Sequence, residues 1–222
     1  MKVLFLFRGE LERHARGVYS TALQCIHNWK NTLFDDLTNN GIDYDIAFIT
    51  YETNDLNKTI EALHPKIIRI IPCISAMDGF NNTVTVINEE KNNYDRFVIM
   101  RFDFMYRIPI TSWPKWNETG YIVVNKDVHW PSQKLYADIV FIIDKENTET
   151  FFNAWTYATE RNSTHYITQY YFIHNIPFHL MYTGYYHMHI NHPLHSLVTY
   201  ESEPDLHNTI QPNELLDVSQ WN

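Results

Sequence analysis

Apolar residues in this chain fall into short continuous blocks, and the stretches between several of them carry helical spacing. Residues 2–7, 45–51, 66–71, 97–104, 121–125 and 138–143 predict strands. Several, such as Phe97-Val98-Ile99-Met100, are apolar at successive positions, as expected where a sheet is covered on both faces. In residues 20–37, Leu23, Ile26, Trp29, Leu33, Phe34 and Leu37 form one stripe, which Asn39-Asn40-Gly41 terminates. Further helices are predicted over 55–63, 81–94, 146–159 and 165–173, with an extended piece over 178–181 and an irregular tail beyond Pro204. Strands alternating with helices predict an α/β fold with a mostly parallel central sheet flanked by helices.

One block ends unusually. After Met100 the sequence continues Arg101-Phe102-Asp103-Phe104, so two opposite charges stand two residues apart between apolar neighbours. With a period of two, both would leave one face of the strand. A carboxylate in such a place requires a partner, either Arg101 or a bound cation. The first strand also opens into polar chain, residues 8–14, which predicts a ligand loop bearing Arg8, Gly9 and Arg13. Backbone N–H groups and arginines in such a loop suit a nucleotide or diphosphate, although Arg13 reads equally well as surface.

At 222 residues the chain suits one domain. The net charge of −9, with no run of Lys or Arg, argues against binding a nucleic-acid backbone. Aromatic residues make up 15%, a share that suits stacking on sugars or bases and suits core filling as well. Cys25 and Cys73 have no zinc or redox spacing, and the opening block ends at Arg8, too short for a signal core or membrane span. A cytoplasmic location is therefore expected, with no membrane span. His187, His189, His192 and His195 form a late cluster with no diagnostic spacing; the first two would share a strand face and the others flank Pro193 in a loop.

The order of elements resembles the small GT-A-type nucleotide-diphospho-sugar glycosyltransferases, including lipopolysaccharide, capsule and large-DNA-virus enzymes. The resemblance is carried by Phe7-Arg8-Gly9 with Arg13, by the strand over 45–51, and by Tyr94-Asp95 leading to Arg101-Phe102-Asp103, where that family places Asp-x-Asp. It implies a single GT-A-like domain over 1–222, with a nucleotide-sugar half (1–104) and a small acceptor-side subdomain (105–222). It further implies transfer from a nucleoside-diphosphate sugar, a UDP-sugar with manganese or magnesium, to a glycan acceptor.

Under that resemblance Asp103 would hold the cation, joined by a late histidine such as His187, and Thr50 and Tyr51 would lie at uracil and ribose. Arg101 replaces the motif's first carboxylate, so it would either grip phosphate itself or fix Asp103. Asp138 is the candidate base, with Asp144 in reserve; Asp138 could instead position an acceptor hydroxyl or cap backbone. Two other functions stay open: a non-catalytic carbohydrate-binding domain on the same fold, and a metal-dependent hydrolase using the late histidines.

Overall fold

The computed structural model of the protein describes residues 1–15, 18–72, 75–124, 135–182 and 194–197. Seven strands form one sheet: β1 (Lys2–Gly9), β4 (Asp43–Thr50), β5 (Ile67–Ile70), β6 (Arg96–Arg101), β8 (Tyr121–Val123), β9 (Phe141–Asp144) and β10 (His179–Leu180). Their spatial order is β10-β8-β9-β6-β1-β4-β5, and β9 alone runs against the rest. The mostly parallel, helix-flanked sheet expected from the alternation is therefore present.

Alternation along the strands sorts the core into two layers. Val3, Phe5 and Phe7 of β1 and Val98 and Met100 of β6 face one layer, closed by helices α1 (Ala22–Trp29), α2 (Asp35–Asn39) and α3 (Leu56–Leu63). Leu4, Leu6, Phe97 and Ile99 face the other, covered by α4 (Ala76–Glu90), α5 (Thr148–Thr159) and α6 (Tyr166–Ile173). Each such side chain stabilises the fold by about 1.5–3 kcal/mol on burial, so two full layers can carry the cost of charged groups at the sheet's edge.

Most described aromatic rings are part of this core. Phe7 lies against Trp29, Phe48 and Phe102 at centroid distances of 4.6, 6.3 and 5.5 Å, and Tyr121 stacks on Tyr171 at 4.3 Å. Aromatic richness therefore records packing, and it lends little weight to a carbohydrate-stacking surface.

Several boundaries differ from those expected. The presumed loop over 8–14 instead leads into a hairpin, β2 (Glu12–Ala15) against β3 (Val18–Thr21), which pairs Arg13 with Ser20. Its base is tied to the start of α3: Asp55 N–H donates to Glu12 Oε1 at 2.8 Å, and Thr21 Oγ1 donates to Asp55 Oδ2 at 2.8 Å. The helix expected over 20–37 begins at Ala22 under a Thr21 capping box and contains a π-helical stretch, Lys30–Phe34. Helix α4 starts five residues before the expected position, at Ala76, because Ser75 caps it by accepting from Asp78 N–H at 3.2 Å.

Strand β6 ends at Arg101; Phe102 and Asp103 form a turn into β7 (Phe104–Tyr106). The expected strand over 138–143 begins only at Phe141, leaving Asp138 in a bend. His195 opens β11 (His195–Leu197), antiparallel to β7 and not in a loop, whereas His187, His189 and His192 lie outside the described residues. The tail beyond Pro204 also lies outside them.

Candidate active site

The carboxyl ends of β1, β4 and β6 meet at a cleft of about 180 Å³ lined by Arg8, Gly9, Glu10, Tyr51 and Arg101, with Ala76, Phe102, Asp103 and Asp138 completing its wall. Its location follows from topology. The chain builds β1, β4 and β5 in one direction across the sheet and then returns to lay β6 on the other side of β1. Connections diverge at such a switch point, which leaves a crevice beyond the strand ends.

At that point Arg8 and Arg101 are register partners on adjacent parallel strands. Their side chains share the α4 face of the sheet, since Leu6 and Ile99, two residues earlier, do so. Two adjacent cations repel, and each is held by a carboxylate and a ring. Arg101 donates from Nε and Nη2 to Asp103 Oδ1 and Oδ2 at 2.9 and 2.5 Å, with its guanidinium 5.0 Å from the Phe104 ring centre. Arg8 donates from Nη2 to the Asp138 carbonyl at 2.6 Å and lies 3.4 Å from Asp138 Oδ2, with its guanidinium 4.8 Å from the Phe80 ring centre. Arg101 Nη1 stands 4.0 Å from Asp138 Oδ1, so the four groups form one network.

The proton affinities follow from this arrangement. Burial pulls the Arg8 guanidinium below its usual value, against the attraction of Asp138. For Arg101 burial acts in the same direction, but the Asp103 carboxylate outweighs it and raises the value. Burial alone would raise Asp138; Arg8, Arg101, His165 and the Thr164 hydroxyl together hold it well below the usual carboxylate range. Thr164 Oγ1 donates to Asp138 Oδ2 at 3.1 Å. His165 Nδ1 lies 2.9 Å from the Tyr136 carbonyl, which can only accept, so that nitrogen carries the proton.

The surrounding elements fix these side chains. Trp29 Nε1 donates to the Phe104 carbonyl at 2.7 Å, and Asn28 exchanges two hydrogen bonds with the Tyr106 backbone at 2.8 and 2.7 Å. Helix α1 thereby anchors β7 and the Asp103 turn that precedes it. Tyr51 bonds the N-terminal end of α4 through its hydroxyl, accepting from Ser75 N–H at 3.1 Å and donating to the Ser75 carbonyl at 2.9 Å. The positive end of that helix, at Ala76, borders the cleft. Gly9 has φ of +105°, and a Cβ there would meet nothing within 4 Å, so glycine serves the backbone turn and leaves the cleft open.

The candidates named from the sequence divide clearly. Arg8, Gly9, Tyr51, Arg101, Asp103 and Asp138 share the cleft. Thr50 is fully buried and donates to the Gly9 carbonyl at 2.8 Å, so it supports the cleft without lining it. Arg13 is placed in β2, its side chain lies outside the described residues, and so does His187.

The reserve base Asp144 is at the opposite end of the strands, where Arg96 donates to it at 2.6 and 3.1 Å and Gly120 N–H donates at 2.6 Å. Tyr94 and Asp95 are also at that end. Tyr94 donates to Asp45 at 2.7 Å and accepts from Lys66 at 3.0 Å, and Asp95 accepts from Lys2 N–H at 2.7 Å. Glu10, Thr164 and the start of α4 do not stand out in the sequence as site residues; Ser75 three residues before Asp78 is the signal available for the last.

A divalent cation fits the described residues poorly. No group of three His, Cys, Asp or Glu among them could hold a metal ion. Both oxygens of Asp103 already accept from Arg101, and a cation there would face two guanidinium groups.

No helix among the described residues is long and apolar enough to cross a membrane. No protein-family model matches the chain, and no curated protein matches it. Solved structures similar to it include a protein of Desulfovibrio desulfuricans G20 provisionally described as a nucleotide-diphospho-sugar transferase, at 8% identity and TM-score 0.43 over 81% of this chain and 78% of that one. A glycosyltransferase involved in glycosylation of the major capsid of PBCV-1 is 12% identical, with TM-score 0.46 over 81% and 79%. A cytidylyltransferase from Leptospira borgpetersenii serovar Hardjo-bovis (strain JB197) is 15% identical, with TM-score 0.48 over 83% and 76%. These likenesses assign no role to any residue of this chain.

Proposed function

We propose that this chain is a glycosyltransferase that takes a sugar from a nucleoside-diphosphate donor, a UDP-sugar in the first instance, and passes it to a glycan hydroxyl. The observation that supports this most is the convergence of Arg8, Arg101, Gly9 and the positive end of α4 on one cleft at the switch point of a mostly parallel sheet. Two cations and open backbone at one place suit a diphosphate.

In this proposal the diphosphate lies across Arg8 and Arg101, the nucleoside extends toward Tyr51, and Arg13 of β2 is a further candidate contact. The bond between the anomeric carbon and the diphosphate oxygen breaks, and its electron pair stays on the phosphate. Guanidinium groups already in place stabilise that growing charge without reorganising. The acceptor oxygen forms the new bond to the anomeric carbon and gives up its proton. Asp138 is the proposed receiver, an ionised carboxylate on the cleft wall beside Arg8 and Arg101. Asp103 acts on the reaction through Arg101.

Calorimetric titration with UDP, GDP and CDP, followed by incubation with the matching sugar nucleotides and glycan acceptors, tests this function. Binding of one diphosphate and acceptor-dependent release of that nucleotide is the expected result. Glycan binding with no nucleotide binding would overturn it in favour of a carbohydrate-binding domain.

A further inference from the structure

Resting on the function just proposed, we infer that the cleft binds its diphosphate through a two-arginine clamp, Arg8 with Arg101, and does so without a divalent cation. Three features support this. First, the arginines are direct register partners on neighbouring strands, which sets two guanidinium groups side by side at the cleft, with Asp103 and Asp138 offsetting their repulsion. Second, both guanidinium groups retain unused donors. Arg8 Nε is buried and finds no hydrogen-bond partner among the described residues, and Arg101 Nη1 stands 4.0 Å from Asp138 Oδ1, beyond hydrogen-bond distance. A buried N–H left in this condition is destabilising, and a small shift of the Arg8 side chain toward a bound phosphate would relieve it. Third, the carboxylate positioned to hold a cation is bound face to face with Arg101, in the bidentate geometry that guanidinium also offers to phosphate.

Asp103 and Asp138 are then counter-ions that keep the clamp formed while it is empty. Rings on Phe80 and Phe104 hold each guanidinium from one side, so little side-chain entropy is lost when the ligand arrives. The residue that departs from Asp-x-Asp is, on this view, the one that performs the cation's electrostatic task.

Calorimetry on the full chain decides the matter, using UDP, GDP, CDP and inorganic pyrophosphate, each in excess EDTA and in excess manganese or magnesium. The clamp predicts affinities in the two conditions within about threefold of each other. It also predicts a loss of at least about tenfold in Arg101→Gln, with Arg101→Lys falling between because it keeps the charge and loses the fork. Thermal melts of both variants show whether they are folded under the titration conditions. Binding seen only with the metal, and abolished by Asp103→Asn, would overturn the clamp and leave the transferase function standing. Pyrophosphate bound in EDTA as tightly as any nucleotide would keep the clamp and remove the nucleoside from the proposal. No binding by any probe in either condition would overturn both.

Discussion

Asp138 and Asp144 stand just before and at the end of the same strand, β9, and serve different arginines at opposite strand ends of the sheet. Asp138 meets Arg8 and Arg101 in the cleft, whereas Asp144 is closed on Arg96. Arg96 and Arg101 are the two ends of β6, roughly 16 Å apart by strand rise. The two aspartates should therefore fail differently when neutralised.

Asp144→Asn should affect stability. It leaves Arg96 buried among the carbonyls of Trp116 and Glu118 with its main charge partner gone. Urea unfolding is expected to show a loss of about 3–5 kcal/mol, the usual cost of breaking a buried pair from one side. Diphosphate affinity per folded molecule should stay at the wild-type level.

Asp138→Asn should change the pH dependence of stability. The folded-state value of Asp138 is depressed, so its stabilising contribution is present above the unfolded carboxylate range, near pH 4, and disappears as the pH falls below it. Denaturation midpoints of wild type and variant should differ at neutral pH and converge on acidification below about pH 4. A gap that stays constant down to acid pH would contradict the pairing of Asp138 with the two arginines.

Gly9→Ala tests the backbone turn at the mouth of the cleft. No atom obstructs the added methyl, so the whole penalty is conformational, about 1–2 kcal/mol for a side chain held at φ of +105°. Thermal denaturation should show this loss, and diphosphate binding should weaken if the turn relaxes by moving Arg8.

Tyr94→Phe addresses a motif that the family resemblance had placed on the way to the site. Burial, together with the hydrogen bond to Asp45 and against the one from Lys66, pushes the Tyr94 hydroxyl up to about 12. A raised value means that its contribution is complete below the ordinary tyrosine range, near pH 10, and is lost as pH rises through the folded value. The variant should lose about 1 kcal/mol at neutral pH and keep wild-type diphosphate affinity. Reduced affinity in a fully folded variant would contradict the separation of the two strand ends.

What the sequence revealed and what it concealed have a common cause. Continuous apolar runs such as Val3 to Phe7 announce buried strands because burial on both faces demands them. The same runs carry no sign of strand direction, so the reversal of β9 was not legible, and with it the reason that Asp138 reaches the cleft and Asp144 does not. Register is equally silent: Arg8 and Arg101 were both named as candidates, but nothing in their spacing along the chain shows that they are neighbours. The hairpin after β1 was hidden by its polar composition, which reads as loop until Asp55 is seen to hold both of its strands. Asp103 was expected to extend from the strand because alternation continues through Phe104; the turn at Phe102 and Asp103 appears only once α1 is seen to hold β7.

The reversed strand of the main sheet, β9, also constrains the order in which a working molecule can come into being. Arg8 and Arg101 are synthesised within the first 104 residues, but the aspartate that holds Arg8 arrives at position 138 and only reaches it once β9 has docked against β6. A ribosome-bound chain that stops short of β9 would carry two adjacent cations with one counter-ion between them. The clamp is thus a late product of folding, assembled by a contact 130 residues long, and its appearance reports that β9 has docked against β6.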